Sequence, residues 1–362
     1  MRISDLKTFG LGRKPSPMLG IDVGSTAVKL VELSQLSGEA ARYQIERYAV
    51  EPLPPTAMSE KKIADVEAVG QGIARAVERS GAKSSRAAVA IAGSAVITKV
   101  IAMSSALSES EMEGQLQLDA DQYIPFPLEE VNIDFDVLGP SASQGMVDVL
   151  LAASRRENVE DRVAALDVAG LKAEIVDVEA YAIENACALM LGSGAKGASE
   201  QVVAVADIGS MTTTLHVLHK GQVVYTREQK FGALQLINEI QQRLGMPRDE
   251  ATAKVVANDL PGGYQTEIIG PFKEAVAQQI GRALQFFYSA TSYNQADRIV
   301  LIGAAASLPK LDRLVEERLG IVSKVGNPFE QIAIPKNIPV AALNRDAPAL
   351  VLAVGLALRG FI

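Results

Sequence analysis

The 362-residue sequence holds a single cysteine, Cys187, and only two histidines, His216 and His219. One thiol excludes a disulfide within the chain. One thiol and two imidazoles, with no helpers around them, are too few for a structural zinc site. Neither histidine stands in a pattern that would make it a catalytic base. Positive charge is also scarce: 35 Lys and Arg against 43 Asp and Glu leave a net charge of −8. That argues against a general nucleic-acid surface, because phosphate backbones require concentrated positive charge. Long apolar runs are missing as well. The longest, Ala347 to Leu358, carries Gly355 and falls short of the roughly 18 residues of a membrane span. Residues 1–17 contain Arg2, Lys7, Arg13 and Lys14 but no apolar core of the length a secretion signal needs. They read as a flexible leader ended by Pro15 and Pro17, or, with Ile3, Leu6, Phe9 and Leu11, as a weak membrane-surface segment. A cytoplasmic protein is expected.

What is present is an ordinary globular composition, 48% hydrophobic and 22% charged, in a chain longer than one core usually serves. Strand patterns at Met18 to Val23, Val28 to Leu33 and Arg42 to Pro52 open the chain. A helical spacing from Ile63 to Ser80 and a buried strand at Ala87 to Ala92 follow. Residues 94–172 read as an inserted α/β unit of strand, helix, strand, strand, helix. Its first helix runs from the capping box of Ser108 and Glu111 to Tyr123. The strand Ala173 to Val178 and the helix Glu179 to Leu191 lead to a Gly/Ser-rich link, Gly192 to Ser199, which marks the boundary between halves.

The second half begins as the first did. Gln201 to Ile208 ends at Gly209, Thr212 to Leu218 returns, and Gln222 to Lys230 makes a third strand. Helices are expected at Ala233 to Leu244, Asp249 to Asn258 and Ile268 to Asn294. A buried strand, Ile299 to Ile302, and helices at Lys310 to Leu319 and Ala349 to Leu358 complete the chain. The echo between Gly20–Ile21–Asp22–Val23–Gly24–Ser25–Thr26 and Ala206–Asp207–Ile208–Gly209–Ser210–Met211–Thr212 marks an internal duplication.

That repeated pattern has a chemical meaning. An aspartate at the end of a buried strand stands at the mouth of a cleft. The glycine after it lets backbone N–H groups approach an anion closely, and Ser25, Thr26, Ser210 and Thr212 add hydroxyl donors. A carboxylate beside a phosphate repels it unless a cation intervenes, so Asp22 and Asp207 imply Mg²⁺, held partly through water. Lys29 adds positive charge or is a solvated strand residue. A single such turn is an ordinary β-turn; two, each heading a similar half, suggest hairpins that grip one phosphate chain from both sides. Gly303 and Ala304, small residues at the end of a buried strand, make a tight strand-to-helix turn or, beside the two phosphate turns, leave room for a flat base or ribose. Gly232 precedes a helix whose first N–H groups could face phosphate.

In this order, these elements resemble the actin, Hsp70 and hexokinase superfamily: two phosphate motifs, at Met18 to Lys29 and Val205 to Thr214, an adenosine motif at Ile299 to Ala306, and connecting helices at Ile175 to Asn185 and Ala347 to Leu358. The resemblance implies an α/β, actin-like fold, a duplicated ribonuclease H-like core in two lobes that close on ATP or ADP with Mg²⁺. An insertion after the strand Ala87 to Ala92 resembles the FtsA arrangement. Within it, Gln122–Tyr123–Ile124–Pro125–Phe126–Pro127–Leu128–Glu129–Glu130–Val131 is similar to a hallmark of the PilM family of type IV pilus assembly, as are Glu51 to Pro55 and Val176 to Glu179. That resemblance implies a first-lobe core at 18–93 with 173–198 and 349–362, and an inserted subdomain at 94–172. It places the second-lobe core at 199–232 with 295–348, and a further subdomain at 233–294. It also implies binding of the N-terminal peptide of PilN in a groove between the first lobe and the insertion. Through PilN it implies a link to PilO and the assembly ATPases and recruitment to the inner membrane. Tyr123, Ile124, Pro125 and Phe126 either line that groove or stop a helix over a buried aromatic.

Related proteins place an acid and a lysine near the adenosine, as Glu250 and Lys254 could here; an exposed i,i+4 ion pair is the alternative. The superfamily's adenosine motif usually has two glycines, whereas here Ala304 follows Gly303. Hydrolysis would need a residue that orients water. The candidates are Asp177, expected to face the cleft from a strand end, and Glu179, at the start of a helix. Neither sits in a convincing E-P-x-A pattern, so a nucleotide-dependent clamp is expected rather than an efficient ATPase. An FtsA-like filament former, with self-association, and a small-molecule kinase are the competing readings.

Overall fold

The computed structural model describes residues 17–36, 42–191 and 200–362; the expected leader, apart from Pro17, and the expected Gly192–Ser199 link lie outside them. The first half opens with a meander, β1 (Leu19–Val23), β2 (Ala27–Gln35) and β3 (Tyr43–Pro52). A two-rung hairpin follows, β4 (Met58–Ser59) and β5 (Lys62–Ile63), and then helix α1 (Val66–Ser80). The helix starts later than the spacing from Ile63 indicates. Ile63 pairs with Met58 across the hairpin, and the Asp65 carboxylate caps α1 by accepting from the Ala68 N–H at 3.0 Å. β6 (Arg86–Ile91) then runs parallel to β1.

The insertion comprises β7 (Val96–Ser104), α2 (Glu109–Asp119), β8 (Val131–Pro140) and β9 (Met146–Arg155). Its antiparallel sheet has the order β7-β9-β8, and Met112 and Leu116 of α2 pack against Val149 and Leu151 on one face. The Ser108–Glu111 capping box starts α2 as the sequence indicates. The helix is regular only to Asp119; a 3-10 turn carries the chain to Gln122, so Tyr123 lies beyond it. The following helix, α3 (Arg156–Val168), is expected within the insertion, but Val159, Ala165 and Leu166 bury themselves in the first lobe's core with α1, β1 and β6. β10 (Lys172–Val178) lies parallel to β6, and α4 (Glu179–Leu191) leads out of the lobe.

The second half repeats the plan: β11 (Val202–Ile208), β12 (Thr213–His219) and β13 (Gln222–Gln229) form a second meander. Helices α5 (Ala233–Leu244), α6 (Arg248–Val256) and α7 (Gly270–Ala290) precede β14 (Arg298–Ile302), which is parallel to β11. After α8 (Leu311–Leu319) come β15 (Ser323–Val325), β16 (Ile332–Ala333), α9 (Val340–Asp346) and α10 (Val351–Leu358). The sheets are ordered β10-β6-β1-β2-β3-β16 and β13-β12-β11-β14-β15. Without β16, each places its first strand centrally, with the meander on one side and two parallel strands on the other. The duplication is therefore topological as well as sequential.

β16 belongs to the first lobe. Ile332 pairs with Tyr43 of β3, and Phe329, Ile338 and Leu343 pack on Val31, Leu33 and Ile45. The chain thus re-enters the first lobe ahead of the expected residue 349, drawn by apolar residues spaced too irregularly to signal an element. Helices α4 and α10 cross between the lobes, where Ala182, Ile183, Val351 and Leu352 share a core with Ala88 of one sheet and Val205 of the other. All eight residues of α10 are buried, each large aliphatic worth about 1.5–3 kcal/mol. The crossings are backbone to backbone. A Cβ on Gly355 would fall 1.8 Å from the Ala182 carbonyl oxygen, and one on Gly20 would fall 1.9 Å from that of Ala353. The helical run Val340–Leu358, 19 residues long, has the length and apolarity of a membrane span, longer than the sequence run suggests. Here its C-terminal part, α10, is buried between the sheets, while Val340 at its start is 50% exposed.

Candidate functional site

The β1–β2 and β11–β12 turns have the same internal geometry. In the first, the Gly24 N–H donates to the Ala27 carbonyl at 3.0 Å; in the second, the Gly209 N–H donates to the Thr212 carbonyl at 3.0 Å. Each turn leaves an aspartate at its strand end. The two turns meet: Thr26 Oγ1 and Ser210 Oγ stand 2.6 Å apart, 184 residues distant in sequence. Asp22, Gly24, Ser25, Lys29, Asp207, Gly209, Ser210, Thr212, Gly303 and Ala304 line one cavity between the lobes, so the structure brings these positions together. The cavity measures about 70 Å³, smaller than the roughly 300–1,000 Å³ of typical ligand pockets.

The electrostatics of the cavity are lopsided. Lys29 donates to Asp22 Oδ2 at 2.8 Å, directly across the β1–β2 register. Burial works against the charge of Lys29, but Asp22, with Asp207 and Glu179 beyond it, holds its pKa above the ordinary lysine value. Asp207 has Thr214 as its cross-strand partner. Burial pushes its carboxyl up to about 6; Glu179 and Asp22 push the same way, while Lys61 and Lys29 oppose them. Two aspartates and Glu179 thus crowd one small space. Among the described residues no cluster of three or more His, Cys, Asp or Glu forms a metal cage. The donor set fits a hard cation that takes most of its ligands from water and phosphate. Asp22 and Asp207 would hold it, and the cation would supply the charge that lets a phosphate approach them.

Gly303 closes the cavity from β14. Its φ is 89°, and a Cβ would lie 2.3 Å from Asp207 Oδ1, so only glycine fits. Its N–H donates to the Pro348 carbonyl at 2.8 Å, joining the strand end to the entry of α10. Ala304 is exposed to the cavity. Gly232 lies behind the second turn rather than on the cavity wall. The N–H groups of Ala233 and Leu234 donate to the carbonyls of Gly209 and Ser210 at 3.0 and 2.8 Å. The N-terminus of α5 therefore braces the turn and spends its first donors on protein. Glu250 and Lys254, on α6, do not line the cavity; Glu250 is exposed and Lys254 half-buried.

The ranking of the two carboxylates by position is reversed. Asp177 does not face the cleft: its side chain is fully buried and ion-paired with Arg359 at 3.1 Å, and Oδ1 accepts from the Val178 N–H. The strand pleat turns it away from the cavity toward the C-terminal helix. Glu179 lines the cavity. Its partner, Lys61, escaped sequence reasoning altogether. It donates to Glu179 Oε2 at 2.7 Å and pairs with Glu228 at 3.0 Å. No local pattern signals a contact 118 residues away. His216 is buried, with Nδ1 3.1 Å from Thr226 Oγ1. Burial and nearby Lys61 lower its pKa to about 4, which keeps the ring neutral.

In the insertion, Ile124 is buried with Ala120, Val131 and Ala153, so it holds the subdomain together. The Lys99 ammonium lies 5.5 Å from the Tyr123 ring centroid and the Arg155 guanidinium 4.4 Å from that of Phe126. Pro125 is exposed.

Two duplicated half-sheets, hinged by crossed helices and closing paired acidic turns on one cavity, define a protein of the actin-like class. The family described as type IV pilus assembly protein PilM matches residues 20–361, and the chain belongs to that family. Its fold is similar to that of a solved PilM-PilN type IV pilus biogenesis complex, with a TM-score of 0.77 and 27% identity, covering 96% of this chain and 100% of that one. It is also similar to the ethanolamine utilization protein EutJ of Carboxydothermus hydrogenoformans, with a TM-score of 0.55 and 18% identity, covering 96% and 90%.

Proposed function

We propose that this chain is a nucleotide-binding clamp of type IV pilus assembly that docks the N-terminal peptide of PilN. Through PilN it joins PilO and the assembly ATPases at the cytoplasmic face of the inner membrane. The observation that carries the partner assignment is the family match together with 27% identity along the whole of a chain solved in complex with PilN. Mg·ATP or Mg·ADP is the ligand that best suits the paired turns at Asp22 and Asp207.

The register of the inserted sheet supports a groove for the peptide on its face away from α2. Val100 and Asp136 both stand opposite Leu150, and Asp134 stands opposite Ala152, so these residues share the face away from α2. Val100 is 58% exposed. At the base of that face Ala152 packs on Val178, Ala180 and Tyr181 of the first lobe. An apolar floor of Val100, Leu150 and Ala152 suits a short apolar peptide.

Calorimetric titration with a synthetic PilN N-terminal peptide tests the reading. Wild type should bind; Leu150→Arg should weaken binding at least tenfold and leave nucleotide binding intact. A wild-type protein that ignores the peptide both with and without Mg·ATP would sink the assignment.

A further inference from the structure

The two cavity turns share the Asp-x-Gly-Ser pattern and the hairpin register, but the residue facing the aspartate differs. Asp22 faces Lys29 across its hairpin, whereas Asp207 faces Thr214. The second lobe has no cation of its own at that place. Lys61 fills the gap from the other lobe. Its ammonium lies 3.4 Å from Thr214 Oγ1, 2.7 Å from Glu179 and 3.0 Å from Glu228, and it lines the cavity with a side chain only 18% exposed.

Its carrier is built for the task. Lys61 sits at the tip of the β4–β5 hairpin, beside Glu60, whose φ of 57° is left-handed. The Arg162 guanidinium, buried within α3, donates to the Lys61 carbonyl at 3.2 Å, to Ala90 O at 2.6 Å and to Asn158 O at 2.9 Å. The buried guanidinium thus ties the Lys61 backbone to β6 and α3, which fixes where the Lys61 side chain starts. On the outer side, Glu60 pairs with Lys230 of the second lobe at 2.6 Å.

We propose that Lys61 is a terminal-phosphate ligand that doubles as a latch between the lobes, so that the cleft distinguishes a nucleoside triphosphate from a diphosphate. This rests on the nucleotide reading above. With the cavity free of phosphate, the ammonium is shared by Glu179 and Glu228 and ties the first lobe to β13. A third phosphate competes with Glu228 for that ammonium; a diphosphate, shorter by one group, leaves the pair in place.

Calorimetry with Mg·ATP and Mg·ADP on wild type and Lys61→Met is the test. Loss of one charged hydrogen bond should weaken ATP at least tenfold and leave ADP within about threefold, the retained ADP binding proving that the variant folds. Glu228→Gln removes the competing carboxylate and should tighten ATP about threefold. Equal losses for both nucleotides in Lys61→Met, or none, would overturn the proposal while the nucleotide reading stood. ATP binding unchanged or weaker in Glu228→Gln would overturn the latch. A wild type that binds neither nucleotide would overturn the nucleotide reading itself and this proposal with it.

Discussion

Replacing Asp207 by asparagine should make the protein more stable and worse at binding. The carboxyl of Asp207 sits at about 6 against an ordinary 3.8, raised first by burial and then by Glu179 and Asp22. A folded-state value above the unfolded one means that the folded protein holds the proton more tightly, so the ionised form opposes folding. A shift of about two units at ~1.36 kcal/mol each puts the penalty near 3 kcal/mol as an upper bound. It is fully present above pH ~6 and gone below pH ~4; by pH 5 it has fallen to about half. The asparagine side chain carries no charge at any of these values. Thermal melts in EDTA without nucleotide should therefore show Asp207→Asn a few degrees above wild type at pH 7.5, with the gap roughly halved at pH 5. In the same variant, Mg²⁺-dependent nucleotide binding should drop at least tenfold, because the cation loses a charged ligand. An asparagine variant that melts below wild type at pH 7.5, or a gap that ignores pH, would refute the claim that this carboxylate is held against electrostatic cost.

Three further outcomes follow from named contacts. Gly303→Val should cost roughly 2–5 kcal/mol, from a disfavoured φ and a Cβ forced onto Asp207, and should abolish nucleotide binding; a melt within about 1 °C of wild type would contradict the close approach. Asp177→Asn should destabilise by about 3–5 kcal/mol by leaving Arg359 as a buried unpaired charge, read by denaturant titration. Glu179→Gln should instead leave the denaturation midpoint nearly unchanged and reduce any phosphate release from ATP. The opposite assignment of those two effects would restore Asp177 to the cleft.

The fold was legible in the sequence where pattern and topology coincide. The repeated Asp-x-Gly-Ser turns, each after a continuous apolar run, announced two equivalent half-sheets, and the capping box at Ser108 marked a helix start that tertiary packing had no reason to move. The signal failed where an element is shorter than one period of its own pattern. β16 is two residues long, and only its parallel pairing with β3 through Ile332 and Ala333 makes it a strand. Within the site, every residue on the two turns was readable because the turn itself supplies the geometry. Lys61 was not, since a lysine on a short hairpin looks solvated until the lobe that carries Glu228 is folded against it. Asp177 misled for a related reason. A strand end can point its last carboxylate to either face, and the choice was made by Arg359, near the far end of the chain.

Closure and ligand binding are linked by what must break. On the proposed clamp reading, a cavity of about 70 Å³ is too small for an adenine nucleotide, so binding would separate Thr26 from Ser210 and move Lys61 away from Glu228. A ligand shifts a two-state equilibrium only through contacts that differ between the states. The serine and threonine hydroxyls and the Lys61 ammonium are such contacts: each is satisfied across the lobe boundary in the closed form and has a phosphate oxygen as its alternative partner. The bond from the Gly303 N–H to Pro348 differs in kind, because it ties the end of β14 to the entry of α10, which is packed into both lobes. On the proposed clamp reading, the phosphate end of the nucleotide rather than its base would decide the state of the clamp.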